Sequence, residues 1–515
     1  MPLPDGTQLA TRIWRPADGS PNPVLLMRQP YGRDIASTVT LAHPSWYAAR
    51  GYVVAVQDVR GCGDSGGRFD PFVAEARDGA VALDWARRLP GGDGKLGLYG
   101  FSYQGMTQHL ALAGGGRADA IAPVMSAWDV WEDFASDGGA LLLEWTVGWA
   151  MQMGALQARR AGDGDAYAEF AAAAATPPLS GTAPALPELA TRLRCLTHLA
   201  DWVGAMDDPA FWSARSPRRV VGENPAALTT PALHVGGWFD PFVRGTIAAH
   251  AAFANAGASA RLLIGPWAHI PWQGGGLSVD RLLADWFDAL LKGRGSDGPP
   301  LLLWDLTRGE WRSFDAWPTG RRRLWLAGDG LAAAGSTGAL LFQAPRTGSV
   351  ETFVHDPWRP VPARGHAIAD PVGMTERADL DARADVAVFT SAPLTDPLRL
   401  VGEVTLRLAV ESDAPTFDIH AVLSRVGAEG AAQTLTFGHL RCAGNTPQCE
   451  IRMRPTAATL EPGERLRLSL SGAAWPAFAI NPGTGADPET TPRHRCRPIT
   501  LGLHTPATLD LGVAP

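Results

Sequence analysis

A chain of 515 residues is too long for one ordinary hydrophobic core, so two or three domains are expected. Hydrophobic residues make up 46% and charged residues 19%, the balance of a folded globular protein rather than a disordered one. The net charge of −7, with no run of Lys or Arg long enough to suggest a basic patch, excludes the footprint of a nucleic-acid or membrane-surface binder.

The opening Met1-Pro2-Leu3-Pro4-Asp5-Gly6 leads directly into strand-like sequence, with no charged segment followed by an apolar one. No apolar stretch approaches the roughly 20 residues of a membrane helix, so a soluble, cytoplasmic protein is expected. From residue 8 to about 126, strand and helix alternate. Val24-Leu25-Leu26-Met27 and Tyr52-Val53-Val54-Ala55-Val56 are short apolar runs bounded by Pro, Gly or charge, as buried parallel strands should be. Residues 72–89 carry apolar side chains at three-to-four spacing and stop before Pro90-Gly91-Gly92, which predicts an amphipathic helix. Leu96 to Gly100 predicts a third strand, leading into a helix over about 103–113. This alternation argues for an α/β parallel sheet covered by helices.

The character changes at 127. Residues 127–227 are rich in Ala, Trp and Met at helical spacing, without a clear strand, and predict an inserted helical cap. Strand-like segments return at 232–236 and 261–265, and a helix is predicted over 280–292, stopping at Gly293. The first part of the α/β domain therefore spans 1–126 and the second 228–317. From 318 to 515, segments such as 401–410 and 466–470 alternate at period two between Pro- and Gly-rich turns, which predicts an antiparallel β-sandwich. The five cysteines Cys62, Cys195, Cys442, Cys449 and Cys496 form no C-x-x-C pair, so neither a zinc ribbon nor a redox motif is supported. Cys442 and Cys449 are spaced to bridge a hairpin, but free buried thiols are the preferred reading.

Gly100-Phe101-Ser102-Tyr103-Gln104-Gly105 lies between a buried strand and a helix, the setting of a nucleophile elbow. Such a turn projects a serine hydroxyl from the carboxyl edge of a sheet. The usual G-x-S-x-G form would place glycine at 104, where this chain has Gln104. A nucleophilic serine needs a base and an orienting carboxylate, in the chain order Ser, acid, His. Asp240 follows the 232–236 strand and His269 follows the 261–265 strand. Among twelve histidines, His269 alone combines the right order with a post-strand loop. Asp201, Asp207 and Asp208 compete with Asp240 but fall within the cap. Arg60, Asp64 and Asp78 read as a loop-holding ion-pair set. Gly61, Gly63 and Gly66 match G-x-G-x-x-G by letter only, without the context of a dinucleotide site.

Gly-Phe-Ser-Tyr-Gln-Gly resembles the G-x-S-Y-x-G elbow of the cocaine esterase-like family of α/β-hydrolases (peptidase S15, CocE/NonD). That family includes X-prolyl dipeptidyl peptidases, glutaryl acylases and α-amino-acid ester hydrolases. The similarity extends to Asp5–Ala10, Asp58–Gly67, Gly237-Trp238-Phe239-Asp240, Gly265–His269, Phe389–Leu394 and Asn481–Gly485. The resemblance implies a hydrolase domain, a helical cap and a jelly-roll domain. It implies catalytic Ser102, Asp240 and His269, with an oxyanion hole formed by the Tyr103 backbone N–H and the Tyr31 phenol. It implies acyl transfer with no metal or organic cofactor. The expected partner is a small ester or amide. Self-association of so large an apolar chain is left open. The cap aromatics Trp128, Trp131, Phe134, Trp145 and Trp149 are candidates to contact an apolar acyl group, although helix packing claims most such residues. Glu132, Asp133 and Asp137 read better as an exposed helix face than as an amine-binding set. An esterase and an amide-cleaving acylase or X-Pro dipeptidyl peptidase both remain open, with a non-catalytic binding protein as a third, remote reading.

Overall fold

A computed structural model describes residues 1–17, 19–34, 40–177, 179, 197–270, 272, 274–295, 298–444 and 448–515. The first half builds a sheet from β1 (Thr11–Trp14), β2 (Asn22–Gln29), β3 (Val53–Asp58), β4 (Gly92–Phe101), β5 (Ala120–Val124), β8 (Ala232–Phe239), β9 (Ala260–Ala268), β10 (Leu301–Asp305) and β11 (Glu310–Phe314). Their order is β1-β3-β2-β4-β5-β8-β9-β10-β11. The interior pairs from β3 to β10 are parallel, and the edge strands β1 and β11 run antiparallel. Every residue of β3 and of β8 is buried, because helices cover both faces. That is why these strands read as continuous apolar runs.

Helices α1 (Pro44–Ala48), α2 (Glu75–Ala86) and α3 (Tyr103–Ala113) belong to this layer. The helix expected over 72–89 is shorter at both ends. Phe72 adopts a positive φ of 67°, outside helical geometry, and gives its N–H to the Tyr103 hydroxyl instead. Between β5 and β8 the chain forms α4 (Leu143–Ala161), α5 (Gly164–Ala175) and shorter helical turns. The expectation of no strand here is corrected by a hairpin, β6 (Ser136–Asp137) and β7 (Ala140–Leu141). Two-residue strands are too short to show a period.

The second sheet comprises β12 (Gly320–Ala327), β13 (Gly338–Leu341), β14 (Val350–His355), β15 (Val386–Ser391), β16 (Leu398–Ser412), β17 (Thr416–Val426), β18 (Ala432–Ala443), β19 (Cys449–Leu460), β20 (Arg465–Ser471) and β21 (Ile499–Val513). It runs β18-β17-β20-β15-β13-β12-β21-β16-β19, with β14 also on β21, and only β13–β15 is parallel. The end strands β18 and β19 lie against each other, so the sheet rolls around one core that includes Phe389, Leu406, Phe417, Leu468 and Leu509. This is the β-sandwich that the period-two segments predict, and it fits the jelly-roll domain that the resemblance implies. Trp238, Val243 and Ile264 of the first sheet's layer pack with Val401 and Ala457 of the second, joining the two halves.

Cys62, Cys442, Cys449 and Cys496 are buried free thiols, with the Cys442 and Cys449 sulfurs 3.3 Å apart; Cys195 lies outside the described residues. Among the described residues no helix is long and apolar enough to cross a membrane.

Candidate active site

Strand order reverses at β2: β3 lies on one side of it and β4 on the other. Connections leaving the carboxyl ends of β2 and β4 therefore diverge and open a crevice, the usual ligand position in such sheets. Tyr31 follows β2 and Ser102 follows β4, so both stand on its rim.

Ser102 adopts φ 59° and ψ −127°, a conformation costly for any residue with a side chain. Neighbouring groups hold it there. Its N–H donates to the Val124 and Met125 carbonyls, and the Gln104 side-chain oxygen accepts the Phe101 N–H at 3.1 Å. A Cβ at Gly100 would come within 2.5 Å of Gln104 Cβ, and one at Gly105 within 2.6 Å of Ser126 Cβ. The glycine one place later than usual is thus where α3 packs against the segment leaving β5. Ser102 sits at the N-cap of α3, where serine normally caps the helix, yet it makes no capping bond. Its hydroxyl is turned to His269.

His269 Nε2 lies 3.0 Å from Ser102 Oγ, and His269 Nδ1 lies 2.7 Å from Asp240 Oδ1. The Asp240 side chain is fully buried against the ring, and an Nδ1 proton shared with it would leave Nε2 free to accept from serine. Trp145, Phe242 and Phe101 surround the imidazole with ring centroids 5.0, 5.2 and 5.6 Å away, which restricts its rotation. The competing carboxylates lie elsewhere: Asp208 caps a helix, while Asp201 and Asp207 are exposed. A chain of this geometry can move the serine proton onto the imidazole as the hydroxyl attacks a carbonyl.

Tyr103 is the first residue of α3, so its N–H has no intrahelical acceptor and points out of the positive end of the helix. Its phenol runs the other way, into the core, donating to the buried Glu75 carboxylate. The Tyr31 phenol oxygen accepts the indole N–H of Trp149 at 3.3 Å. Burial pushes the Tyr31 hydroxyl up to about 12, against smaller opposing effects from Trp149 and Ser102, so it remains a proton donor at neutral pH.

These groups open onto a cavity of about 760 Å³, within the size range of small-molecule sites. One wall is α4, whose Trp145, Trp149, Gln152 and Leu156 recur at helical spacing on one face. Phe134 lines the cavity beside them. The opposite wall is residues 367–372 of the second half, which no sequence signal marks. Two of the five aromatic candidates are corrected. Trp128 packs against His109 and Phe253, and Trp131 against Trp212; neither lines the cavity, because each points back into helix packing. Glu144 of α4 and Asp370 were not singled out, yet both face the cavity. Burial, with Asp370 as a second cause, raises the Glu144 carboxyl above its usual range.

The exposed face expected for Glu132, Asp133 and Asp137 holds only for Glu132. Asp133 is buried, accepting the N–H groups of Trp128 and Asp129, and Asp137 is buried between two arginines. Their polarity is spent on the backbone and on partners distant in sequence. Arg60 pairs with Asp78 and Asp5, and Asp64 pairs with Arg33, so this set holds its loop as expected.

Fold and site define a serine hydrolase built on an α/β-hydrolase sheet. The chain belongs to the X-Pro dipeptidyl-peptidase (S15) family, whose profile matches residues 5–271. Residues 295–508 match the profile described as the X-Pro dipeptidyl-peptidase C-terminal non-catalytic domain. The chain is 30% identical to cocaine esterase of a Rhodococcus species, over 94% of this chain and 92% of that protein. An aminopeptidase structure from a marine-sediment archaeon superposes with a TM-score of 0.84 at 21% identity, covering 100% of this chain and 95% of the other. An α-amino acid ester hydrolase structure does so with 0.80 at 22% identity and the same coverage.

Proposed function

We propose that this protein hydrolyses carboxylic esters, with Ser102 as nucleophile, His269 as general base and Asp240 as the carboxylate that orients it. The unbroken hydrogen-bond chain from Ser102 through His269 to the buried Asp240 carries this reading. Neutral His269 takes the Ser102 proton as Oγ bonds to the carbonyl carbon. The Tyr31 phenol and Tyr103 N–H bind the oxyanion. The imidazolium returns its proton to the departing alcohol, leaving an acyl-serine ester that water cleaves with the same base. Similarity to cocaine esterase over nearly the whole chain supports an ester substrate, and the walls formed by Phe134, Trp145 and Trp149 suit an apolar or aromatic acyl group. We further propose the division into hydrolase segments 1–126 and 228–317, a cap over 127–227 and a β-domain over 318–515.

A second reading, cleavage of X-Pro amides, draws on the paired carboxylates Glu144 and Asp370 at the cavity, which suit a substrate ammonium group. A panel of p-nitrophenyl esters set against Gly-Pro and Ala-Pro anilides separates the two. Ester turnover abolished in Ser102→Ala, together with fluorophosphonate labelling of Ser102, is the expected result. Full ester turnover by Ser102→Ala would overturn the assignment, and anilide turnover exceeding ester turnover would favour the second reading.

A further inference from the structure

Arg454 lies on β19, within the part of the chain matched by the profile described as non-catalytic, yet its guanidinium ends beneath the loop that carries Asp240. Its Nη1 donates to the carbonyl oxygen of Pro241, the residue after Asp240. Its Nη2 lies 3.2 Å from Asp137 Oδ2, and Asp137 Oδ1 accepts from Arg244 Nη1 at 2.9 Å. Arg244 belongs to the helix Val243–Asn255, which continues directly from the Asp240 loop, and its other amino group donates to the Arg452 carbonyl on β19. The Arg454 side chain is 0% exposed and that of Asp137 1%, and the Phe437 ring flanks the guanidinium at 5.1 Å.

A guanidinium buried this completely is a poor stabiliser, since well-packed apolar side chains of similar volume commonly serve the fold as well or better. What such a group supplies is a fixed position. Asp240 needs one. Its Oδ2 has no hydrogen-bond partner among the described residues, so the carboxylate is held by His269 on one side and otherwise by the backbone of its own turn. That turn is closed by Asp240 N–H to Gly237 and by Val243 N–H to Asp240, and Arg454 grips the carbonyl between them.

We infer that Arg454 is a positioning residue for the reaction: from the second sheet it clamps the Asp240–Pro241 turn, so that the Asp240 carboxylate stays aligned with His269. This rests on the proposed roles of Ser102, His269 and Asp240. Neither Arg454 nor Asp137 lines the cavity, although Pro241, whose carbonyl Arg454 holds, does, so the clamp reaches substrate only through the turn that carries Asp240.

The test compares full-length Arg454→Met, Arg454→Lys and Asp137→Asn on a p-nitrophenyl ester, with Asp305→Asn as the control. Asp305, on β10, accepts from Thr459 on the same strand as Arg454, so its loss loosens the same seam away from the Asp240 turn. Arg454→Met is expected to lower kcat roughly 10- to 100-fold with KM within about twofold, the scale of a small misplacement of a catalytic group. Arg454→Lys, which keeps the charge and a donor, should recover a substantial part of the loss, and Asp137→Asn should fall between parent and Arg454→Met. Asp305→Asn should lower the thermal midpoint but leave kcat within about twofold. A parent-like kcat in Arg454→Met overturns the proposal. So does an equal kcat loss in Asp305→Asn at a matched midpoint. If Arg454→Met does not accumulate as folded protein, Asp137→Asn decides, and a parent-like kcat in that variant overturns it. Ser102→Ala, run alongside, keeps the outcomes distinct. If it retains turnover, the triad reading fails and this proposal falls with it; if it is inactive while Arg454→Met is fast, only the clamp fails.

Discussion

Trp149 of helix α4 donates its indole N–H to the phenol oxygen of Tyr31, which stands on the loop after β2. Helix α4 and the loop after β2 thus meet through this hydrogen bond at the proposed oxyanion site. Because the indole occupies a lone pair of the phenol oxygen, the Tyr31 O–H is left to point at a substrate carbonyl. Trp149→Phe keeps the ring packing and removes the donor. A net hydrogen bond is worth about 1 kcal/mol, so kcat on an ester should fall roughly fivefold with little change in thermal midpoint. An unchanged kcat would show that the indole only packs.

Tyr31→Phe removes the proposed oxyanion donor itself. Losing one such donor costs about 3–4 kcal/mol of barrier, or roughly 10²–10³ in kcat, while ground-state binding and KM change little. Steady-state kinetics on a single p-nitrophenyl ester measure this. A loss expressed mainly in KM would move Tyr31 from the oxyanion site to the substrate wall.

Strain at Ser102 is testable without activity. Ser102→Ala and Ser102→Gly both lack the hydroxyl, but only glycine adopts φ 59° and ψ −127° without penalty. The glycine variant should therefore unfold later on heating, by an amount equivalent to about 1–3 kcal/mol. Equal midpoints would mean that the turn stores no strain.

Acid should destabilise the fold well above the carboxylate range. Burial lowers the His109 and His198 imidazoles to about 3 and that of His250 to about 4, and holds His234, His366 and His420 well below their ordinary value. The unfolded chain takes up protons at these six positions near pH 6.5, while the native chain cannot. Stability is therefore full above that pH and declines as pH falls, by up to about 1.4 kcal/mol per pH unit for each such histidine. Asp133, raised to about 6 by burial, and Glu489, raised to about 7 by burial, act in the opposite sense between pH 7 and 5.5, but the histidines outnumber them. The midpoint of guanidinium unfolding should drop steeply from pH 7 to 5.5 and stay flat above pH 7.5. A flat profile through pH 5.5 would refute burial in the neutral form.

How much was legible in the sequence depended on how local the physics was. The parallel strands announce themselves as short apolar runs because both faces of the first sheet are covered, and the elbow does so because a strand, a tight turn and a helix are consecutive in the chain. Asp240 and His269 could be chosen from chain order and post-strand position. The hairpin β6–β7 was missed because two residues carry no period. Asp133 and Asp137 look like solvent-facing carboxylates in sequence, since nothing nearby announces the backbone amides and arginines that satisfy them. Trp128 and Trp131 share the composition of Trp145 and Trp149, and only helix rotation separates packing from cavity wall.

By itself the sequence determined the order of elements, the sheet that bears the nucleophile and the identity of the serine, acid and base candidates, because these follow from patterns within a few residues of one another. Tertiary structure alone decided which aromatic rings face the cavity, that residues 367–372 close it, and that Arg454, 214 positions beyond Asp240 in the numbering, reaches the turn beside it. Those relations are made by side chains brought together across two sheets, and no spacing along the chain encodes a distance between elements that meet only when both are folded.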